Sequence, residues 1–387
     1  MVERGARILV FGSGLSGRAA AALAEDVGLL PVIVDGHDSI PEGDFSFAVV
    51  SPGIPLSHRW LSECSVRAIP VVSELQFGCS EMLRRGWKML AVTGSKGKSS
   101  VVKVTAEAIV LAGDRAVMCG NYGLPVCEAV LREKPCWAVV EVSSFMMETT
   151  SLLPDSFEAA VILNLQEDHL DRHGSVDVYH GLKLKLLEMS KCGASRFDVD
   201  RERAVFSGSW FDNAILSGNA AAAVFLMRSA GVPECAMRRA FLEFVPLPHR
   251  MNKIAELNGI KYVDDSKATS LCALAAGVEM CSSPVRLIAG GRSKGDNPSD
   301  VVPVLTDRVK KVYIIGECAE SFFAAWNHVV DCEICGTMER AVERAMYEAE
   351  KGETVLLSPG TASFDQYENF NERGDAFAYL VKKGKSK

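Results

Sequence analysis

The chain has 387 residues, 48% of them hydrophobic, which exceeds the ~100–200 residues of one ordinary domain and leads us to expect two or three cores. Its 42 basic residues against 49 acidic ones leave a net charge of −7, which excludes a broad basic face for nucleic acid and makes any anionic ligand depend on locally placed cations. Apolar runs such as Ala220–Met227 fall short of the ~18–20 residues of a membrane span, Met1–Arg18 lacks a secretory pattern, and 12 scattered cysteines suit reduced thiols in a cytosolic chain.

Arg7–Phe11 reads as a short β run, followed by Gly12-Ser-Gly-Leu-Ser-Gly17 and an alanine-rich helix over Arg18–Ala24. A second strand, Pro31–Asp35, puts Asp35 at a strand end about 20 residues beyond the glycines, where a dinucleotide fold keeps its ribose-binding acid. A third run, Phe47–Ser51, stops at Pro52-Gly53. This is the rhythm of a small parallel sheet, with a boundary expected near residue 80. The glycine loop alone fits a dinucleotide, a nucleotide diphosphate or a closed turn.

Lys88–Thr93 opens a second block, and Gly94-Ser-Lys-Gly-Lys-Ser99 leads into a helix ending near Leu111. Backbone N–H groups at such a helix start can cup an anion, a lysine adds charge and a serine hydroxyl can meet magnesium. A full Walker A loop would need glycine where Val92 stands, so this is a shorter form, and a plain tight turn is the alternative. Trp137–Glu141 and Ala159–Asn164 read as buried strands. In an open parallel sheet, ligands bind at the carboxyl ends of strands, so the loop, Glu141 and the segment 164–169 should converge. Glu141 is either a metal-binding carboxylate or a solvated strand end. The run Glu167-Asp-His-Leu-Asp-Arg-His173 fits magnesium ligation or a capped helix start equally well. Lys183, on the helix expected over Val178–Met189, reads by itself as a surface lysine.

The third block begins after Pro246-Leu-Pro248, with strands expected at Tyr262–Asp265, Arg286–Gly290, Lys311–Gly316 and Glu353–Ser358. Polar loops adjoin them, and caps and turns use the same residue types as binding sites. Cys332-x-x-Cys335 has no second pair to complete a zinc site and reads as structural.

Taken in order, TGSKGKSS at 93–100, EVSSF at 141–145, NLQEDHLDRH at 164–173, PHR at 248–250, DDSKATS at 264–270 and SPGTASFDQYENF at 358–370 resemble the Mur ligases over essentially the whole chain. The resemblance implies a three-domain α/β protein: a Rossmann-like UDP-substrate domain over 1–80, a central P-loop ATPase-type domain over 81–246 and a Rossmann-like amino-acid-binding domain over 247–387. DDSKAT and SFDQ with NF point to the D-glutamate-adding branch. That implies ATP-dependent joining of D-glutamate to UDP-N-acetylmuramoyl-L-alanine through an acyl phosphate, in cytoplasmic peptidoglycan precursor synthesis by a monomer that binds neither nucleic acid nor membrane.

By the family pattern, Lys98, Glu141, His169 and Lys183 would be catalytic, with Ser99, Glu141, His169 and a carbamylated Lys183 serving two Mg2+ ions. ATP would meet Gly94, Ser95, Lys96, Gly97, Lys98, Ser99, Ser100, Asn219, Arg250, Asp265 and Lys267. The UDP substrate would meet Gly14, Leu15, Ser16, Asp35, Ser51, Gly53, Asn121 and Ser143, while Thr269, Lys294, Ser363 and Phe370 would grip D-glutamate. Closure on ATP implies a hinge near Pro246–Pro248. The chain departs from the family at Lys96, where asparagine is usual, and at Met146, where glutamine is usual; its HNxxN adenine pattern survives only as Asn219, and 192–216 is short. Another ligase of the same family or a catalytically weakened homologue is the alternative. An NAD-dependent oxidoreductase, resting on Gly12–Gly17 and Asp35, leaves the second glycine loop without a role.

Overall fold

The computed structural model describes residues 3–36 and 39–384. It divides into two compact units, Met1–Phe244 and Val245–Lys387.

The first unit contains two parallel sheets. In one, β1 (Arg7–Phe11), β2 (Leu30–Val34), β3 (Ala48–Val50) and β4 (Val71–Ser73) run in the order β2-β1-β3-β4. Phe11 pairs with both Val34 and Val50, so Gly12, Asp35 and Ser51 follow at the same edge. In the other, β5 (Lys88–Thr93), β6 (Ala116–Gly120), β7 (Trp137–Glu141), β8 (Ala159–Ile162) and β9 (Gly193–Ala194) take the order β6-β7-β5-β8-β9. Every residue of β7 is buried, as expected of a strand covered on both faces. Register sets Val92 beside Glu141 and Thr93 beside Ile162, which brings three strand ends to the loop after Thr93.

A single apolar cluster unites the two sheets, joining Ile8, Val10 and Val49 to Met89, Ala91 and Val140. The helix Glu74–Arg84 supplies Leu75, Cys79 and Met82 to it, and the Ser73 hydroxyl caps that helix by accepting the Gln76 N–H at 2.9 Å. Residue 80 thus lies inside a continuous helix with a buried face rather than in a linker. Full burial of a side chain such as Leu75 or Met82 contributes about 1.5–3 kcal/mol.

The second unit has one six-stranded sheet: β10 (Asn252–Leu257), β11 (Ile260–Asp264), β12 (Val285–Gly290), β13 (Val309–Ile315), β14 (Asp331–Gly336) and β15 (Thr354–Leu357), in the order β10-β11-β15-β12-β13-β14. Only β10 and β11 pair antiparallel, through a hairpin whose Asn258 and Gly259 both have positive φ, the geometry Asn-Gly adopts readily. Insertion of the late strand β15 between β11 and β12 gathers the loops that begin at Asp265, Gly291 and Ser358. Cys332 and Cys335 lie on β14, and none of the 12 cysteines forms a disulfide. Among the described residues no helix is long and apolar enough to cross a membrane.

Candidate active site

The loop after β5 turns on two glycines in positive φ, Gly94 and Gly97, and Gly97 caps the helix Lys98–Leu111. A Cβ at Gly97 would lie 2.3 Å from Asn219 Nδ2, so the close approach of the Ser217–Ser229 helix also requires glycine there. The first N–H groups of a helix have no intrahelical acceptor, which suits this end to an anion.

The loop is braced before any ligand arrives. Asn164 accepts the Lys96 N–H on Oδ1 at 2.9 Å and donates from Nδ2 to the Lys96 carbonyl at 2.9 Å. Ser95 Oγ donates to the Gln166 carbonyl, accepts the Gln166 N–H, each at 3.0 Å, and shares a hydrogen bond with the Tyr179 hydroxyl at 3.1 Å. The sequence placed Asn164 at the crevice but gave it and Tyr179 no role.

Three lysines surround this backbone. Lys98 Nζ donates to the Gly94 and Ser95 carbonyls at 2.8 and 3.0 Å. Lys96 Nζ is buried without a hydrogen-bond partner. Lys183 is 1% exposed, donates to the Gly94 carbonyl at 3.0 Å and lies 4.5 Å over the Tyr179 ring. Burial, with the nearby Lys98 charge, pulls its ammonium down to about 7. The surface position suggested by this residue alone is therefore overturned: the helix Val176–Glu188 turns Tyr179 and Lys183, four residues apart, inward together.

Glu141 is 2% exposed. Its Oε1 accepts from Asn121 Nδ2 at 2.9 Å, while Oε2 is buried and lacks a partner. Ser99 and Ser100 are buried at the helix start, and Ser143 caps the short helix Ser144–Met147. His169 has φ 54° and is half-exposed, with its ring 4.7 Å from Phe145 and its Nε2 3.5 Å from Asp168. Among the described residues no group of three or more His, Cys, Asp and Glu gathers as a metal cage. Magnesium commonly takes only one or two carboxylates and completes its shell with phosphates and water, and the open oxygen of Glu141 fits that demand.

The acid-and-histidine run divides. His169 remains near the loop, whereas Arg172 and His173 turn toward Glu148. Arg172 donates to Glu148 at 2.6 and 3.0 Å and to the carbonyls of Pro52, Gly53 and Ile54 at 3.2, 3.2 and 2.8 Å, tying the turn after β3 to the central sheet. No local pattern in the sequence announces this contact.

At the other glycine loop, a Cβ on Gly17 would lie 1.8 Å from the Gly12 carbonyl oxygen. Ser13 Oγ donates to Asp35, and the Gly36 N–H adds a second bond at 2.9 Å; together they hold the Asp35 carboxyl below its usual range. Gly14 and Leu15 are exposed, Ser16 is half-buried, and Ser51 Oγ is buried without a partner beside the glycines. Gly53 lies in the turn that Arg172 holds.

In the second unit, His249 Nδ1 donates to Asp264 at 2.7 Å, a bond that raises the imidazole's affinity for its proton. Burial pushes Asp265 up to about 7 despite hydrogen bonds from Ser358 Oγ at 2.9 Å and the Met251 N–H at 3.2 Å. Arg250 follows His249, and Lys267 Nζ lies 3.7 Å over the Phe370 ring. Lys294 Nζ donates to Thr269 Oγ1 at 3.3 Å, and Ser363 is buried in the loop after β15.

Comparison with known proteins follows this geometry. Residues 92–215 match the model of the Mur ligase middle domain, and 249–361 match that of the Mur ligase glutamate ligase domain. The chain is 33% identical over 369 residues to a UDP-N-acetylmuramoylalanine–D-glutamate ligase of Nitratidesulfovibrio vulgaris, covering 90% of this chain and 84% of that one. It is 32% identical over 420 residues to the protein of that name in Lawsonia intracellularis, covering 97% and 94%. Among solved structures, the UDP-N-acetylmuramate-alanine ligase of Thermotoga maritima is similar at a TM-score of 0.62 and 12% identity over 98% of this chain and 99% of that one. The MurF ligase of the same organism, solved with ADP, gives 0.62 and 14% over 99% and 96%. These structural likenesses establish the fold.

Proposed function

The chain belongs to the Mur ligase family, and we propose that it joins D-glutamate to UDP-N-acetylmuramoyl-L-alanine, the two substrates in the relatives' names, and that ATP drives the joining. The observation that carries this function is the braced loop 94–99, where Lys98 and Lys183 both donate to the Gly94 carbonyl and Lys183 feels the charge of the buried Glu141, whose Oε2 is left open.

A carboxylate is a poor electrophile, and its meeting with ATP brings two anions together. Attack by the terminal carboxylate of the L-alanyl group on the γ-phosphate forms a C–O–P bond and releases ADP. Lys98 and the loop N–H groups stabilise the phosphates through that step. Ser99, Glu141 and His169 would hold divalent metal, which supplies further charge neutralisation when bound. The neutral amine of D-glutamate then adds to the acyl carbon, loses a proton and expels phosphate. We assign Lys183 a carbamate: its depressed basicity leaves a share of neutral amine at pH 7, which can attack carbon dioxide, lose a proton and become an anion able to join the metal's shell.

Asp35, Ser13 and the buried Ser51 hydroxyl suit a ribose and diphosphate at the first glycine loop, with Gly14, Leu15, Ser16, Gly53, Asn121 and Ser143 assigned to the same substrate. Asn219, Arg250, Asp265 and Lys267 are assigned to ATP, and Thr269, Lys294, Ser363 and Phe370 to D-glutamate. This division assigns 1–80, 81–246 and 247–387 to the UDP substrate, ATP and the amino acid, with a hinge near Pro246–Pro248. The absence of disulfides accords with a cytoplasmic setting, and we assign the chain a monomeric state. The test is phosphate release from ATP with UDP-N-acetylmuramoyl-L-alanine and D-glutamate, L-glutamate, L-lysine or diaminopimelate in turn. Release with D-glutamate alone is expected; equal release with another amino acid would reassign the branch, and none with any would leave a nucleotide-binding homologue without ligase activity.

A further inference from the structure

Arg373 is the most deeply buried arginine in the second unit, 1% exposed on the helix Phe370–Gly384, yet it pairs with no carboxylate among the described residues. Its guanidinium donates only to neutral acceptors. Nε reaches Ser266 Oγ at 3.0 Å, one terminal nitrogen reaches the carbonyls of Ser266 and Thr361 at 2.9 and 3.1 Å, and the other reaches the Ala362 carbonyl at 3.3 Å. A Cβ on Gly291, at φ 134°, would come within 3.2 Å of the same group. One side chain therefore hydrogen-bonds the loops after β11 and β15 and leaves little room for a side chain at the start of the loop after β12.

Those loops carry Thr269, Lys294 and Ser363, three of the four residues assigned to D-glutamate, and the fourth, Phe370, begins the helix of Arg373 itself. They are cross-braced as well: Arg292 and Ala362 exchange both backbone hydrogen bonds, at 2.9 and 3.1 Å. The next residue, Gly374, has no room for a side chain, because a Cβ there would lie 2.1 Å from His249 Nδ1. The helix start is thus seated against the His249–Asp264 corner, and the fork of Arg373 enters the space between loops.

A buried cation without an acid partner carries a desolvation cost that an apolar residue would avoid. A planar fork with five donors can satisfy acceptors on several loops at fixed angles, which an ammonium cannot do. We infer that Arg373 is a positioning residue for the amino-acid substrate, setting the spacing of the three loops that must receive two carboxylates and an amine. The inference rests on the D-glutamate assignment above.

The experiment uses the full chain with Arg373→Lys and Arg373→Gln, measuring kcat and the KM of each of the three substrates beside a thermal melt. Both variants are expected to raise the KM for D-glutamate about tenfold or more while leaving that for the UDP substrate within about twofold, and lysine is expected not to rescue. An equal rise in every KM would reduce Arg373 to general support of the fold, and an unchanged KM for D-glutamate would also overturn the inference. Should both variants fail to fold, Ser266→Ala removes the acceptor of Nε together with the hydroxyl's own bond to the Phe370 carbonyl, both of which tie this helix start to the loop after β11: a rise of about threefold in the KM for D-glutamate supports the positioning role, and no change overturns it. Wild-type protein run in parallel separates the two levels, since absence of D-glutamate-dependent phosphate release there would refute the substrate assignment and this inference with it.

Discussion

Two strand–glycine–helix corners stand in the same unit and share a backbone plan, yet their side chains give them different chemistry. At Gly12–Gly17 the neighbouring groups are hydroxyls and one acid: Ser13 bonded to Asp35, and Ser51 buried without a partner. The cation there, Arg18, donates to the Ser13 carbonyl. At Gly94–Ser99 three lysines cluster, and Asn164, Gln166 and Tyr179 brace the loop. A glycine turn into a helix provides backbone donors for an anion in either case. On the proposed assignment, the side chains then separate a diphosphate attached to a ribose, where an acid can accept from hydroxyls, from a triphosphate that reacts and must have its charge offset.

The largest expected effect is at Lys98. Lys98→Ala should lower kcat by about a thousandfold, from the loss of charge stabilisation on the transferred phosphoryl group, while UDP binding measured by calorimetry stays unchanged. Weaker UDP binding in that variant would erase the distinction between the corners.

Lys183→Ala should cost about a hundredfold or more in kcat. The pH dependence has a definite sign. Because the folded pKa is lowered from 10.5 to about 7, the amine is neutral above about 7 and protonated below it, and only the neutral form reacts with carbon dioxide. In buffer depleted of carbon dioxide, wild-type activity should fall, more steeply below pH 7, and added bicarbonate should restore it. Activity indifferent to bicarbonate at pH 6 and pH 8 would remove the carbamate.

Smaller changes belong to the first corner. Asp35→Asn should raise the KM for the UDP substrate about tenfold with kcat nearly constant, the pattern of lost uniform binding. Ser13→Ala, which deprives Asp35 of its hydroxyl donor, should raise the same KM about threefold. A fall in kcat with KM unchanged in either variant would move that loop into the chemical step.

Much of this was legible in the chain because it depends on local signals. Both glycine loops follow apolar β runs, and β5 and β7 coincide with the runs expected at Lys88–Thr93 and Trp137–Glu141. The hairpin at β10 was missed although Asn258-Gly259 marks it, because Asn252–Leu257 is only half-buried and charge-rich. The strand β14 has the same weakness: Asp331–Gly336 is only partly buried and lacks a clear apolar alternation. Residue pattern alone left Lys183 on the surface, since burial of a helix face is decided by what packs on it, and only the family resemblance put it at the site. Arg172 and Arg373 are further from reach: most of their acceptors are backbone carbonyls, reached across 118 residues at Ile54 and 107 at Ser266, and a carbonyl leaves no trace in residue type.

The most direct measurement is calorimetric titration of the purified chain with UDP and with ADP and Mg2+, each alone and then in the presence of the other. Two independent saturations are expected, with Asp35→Asn weakening only the first and Lys98→Ala only the second. Competition between UDP and ADP for one site, or a loss of both in either variant, would contradict the division of the two glycine loops between two nucleotides.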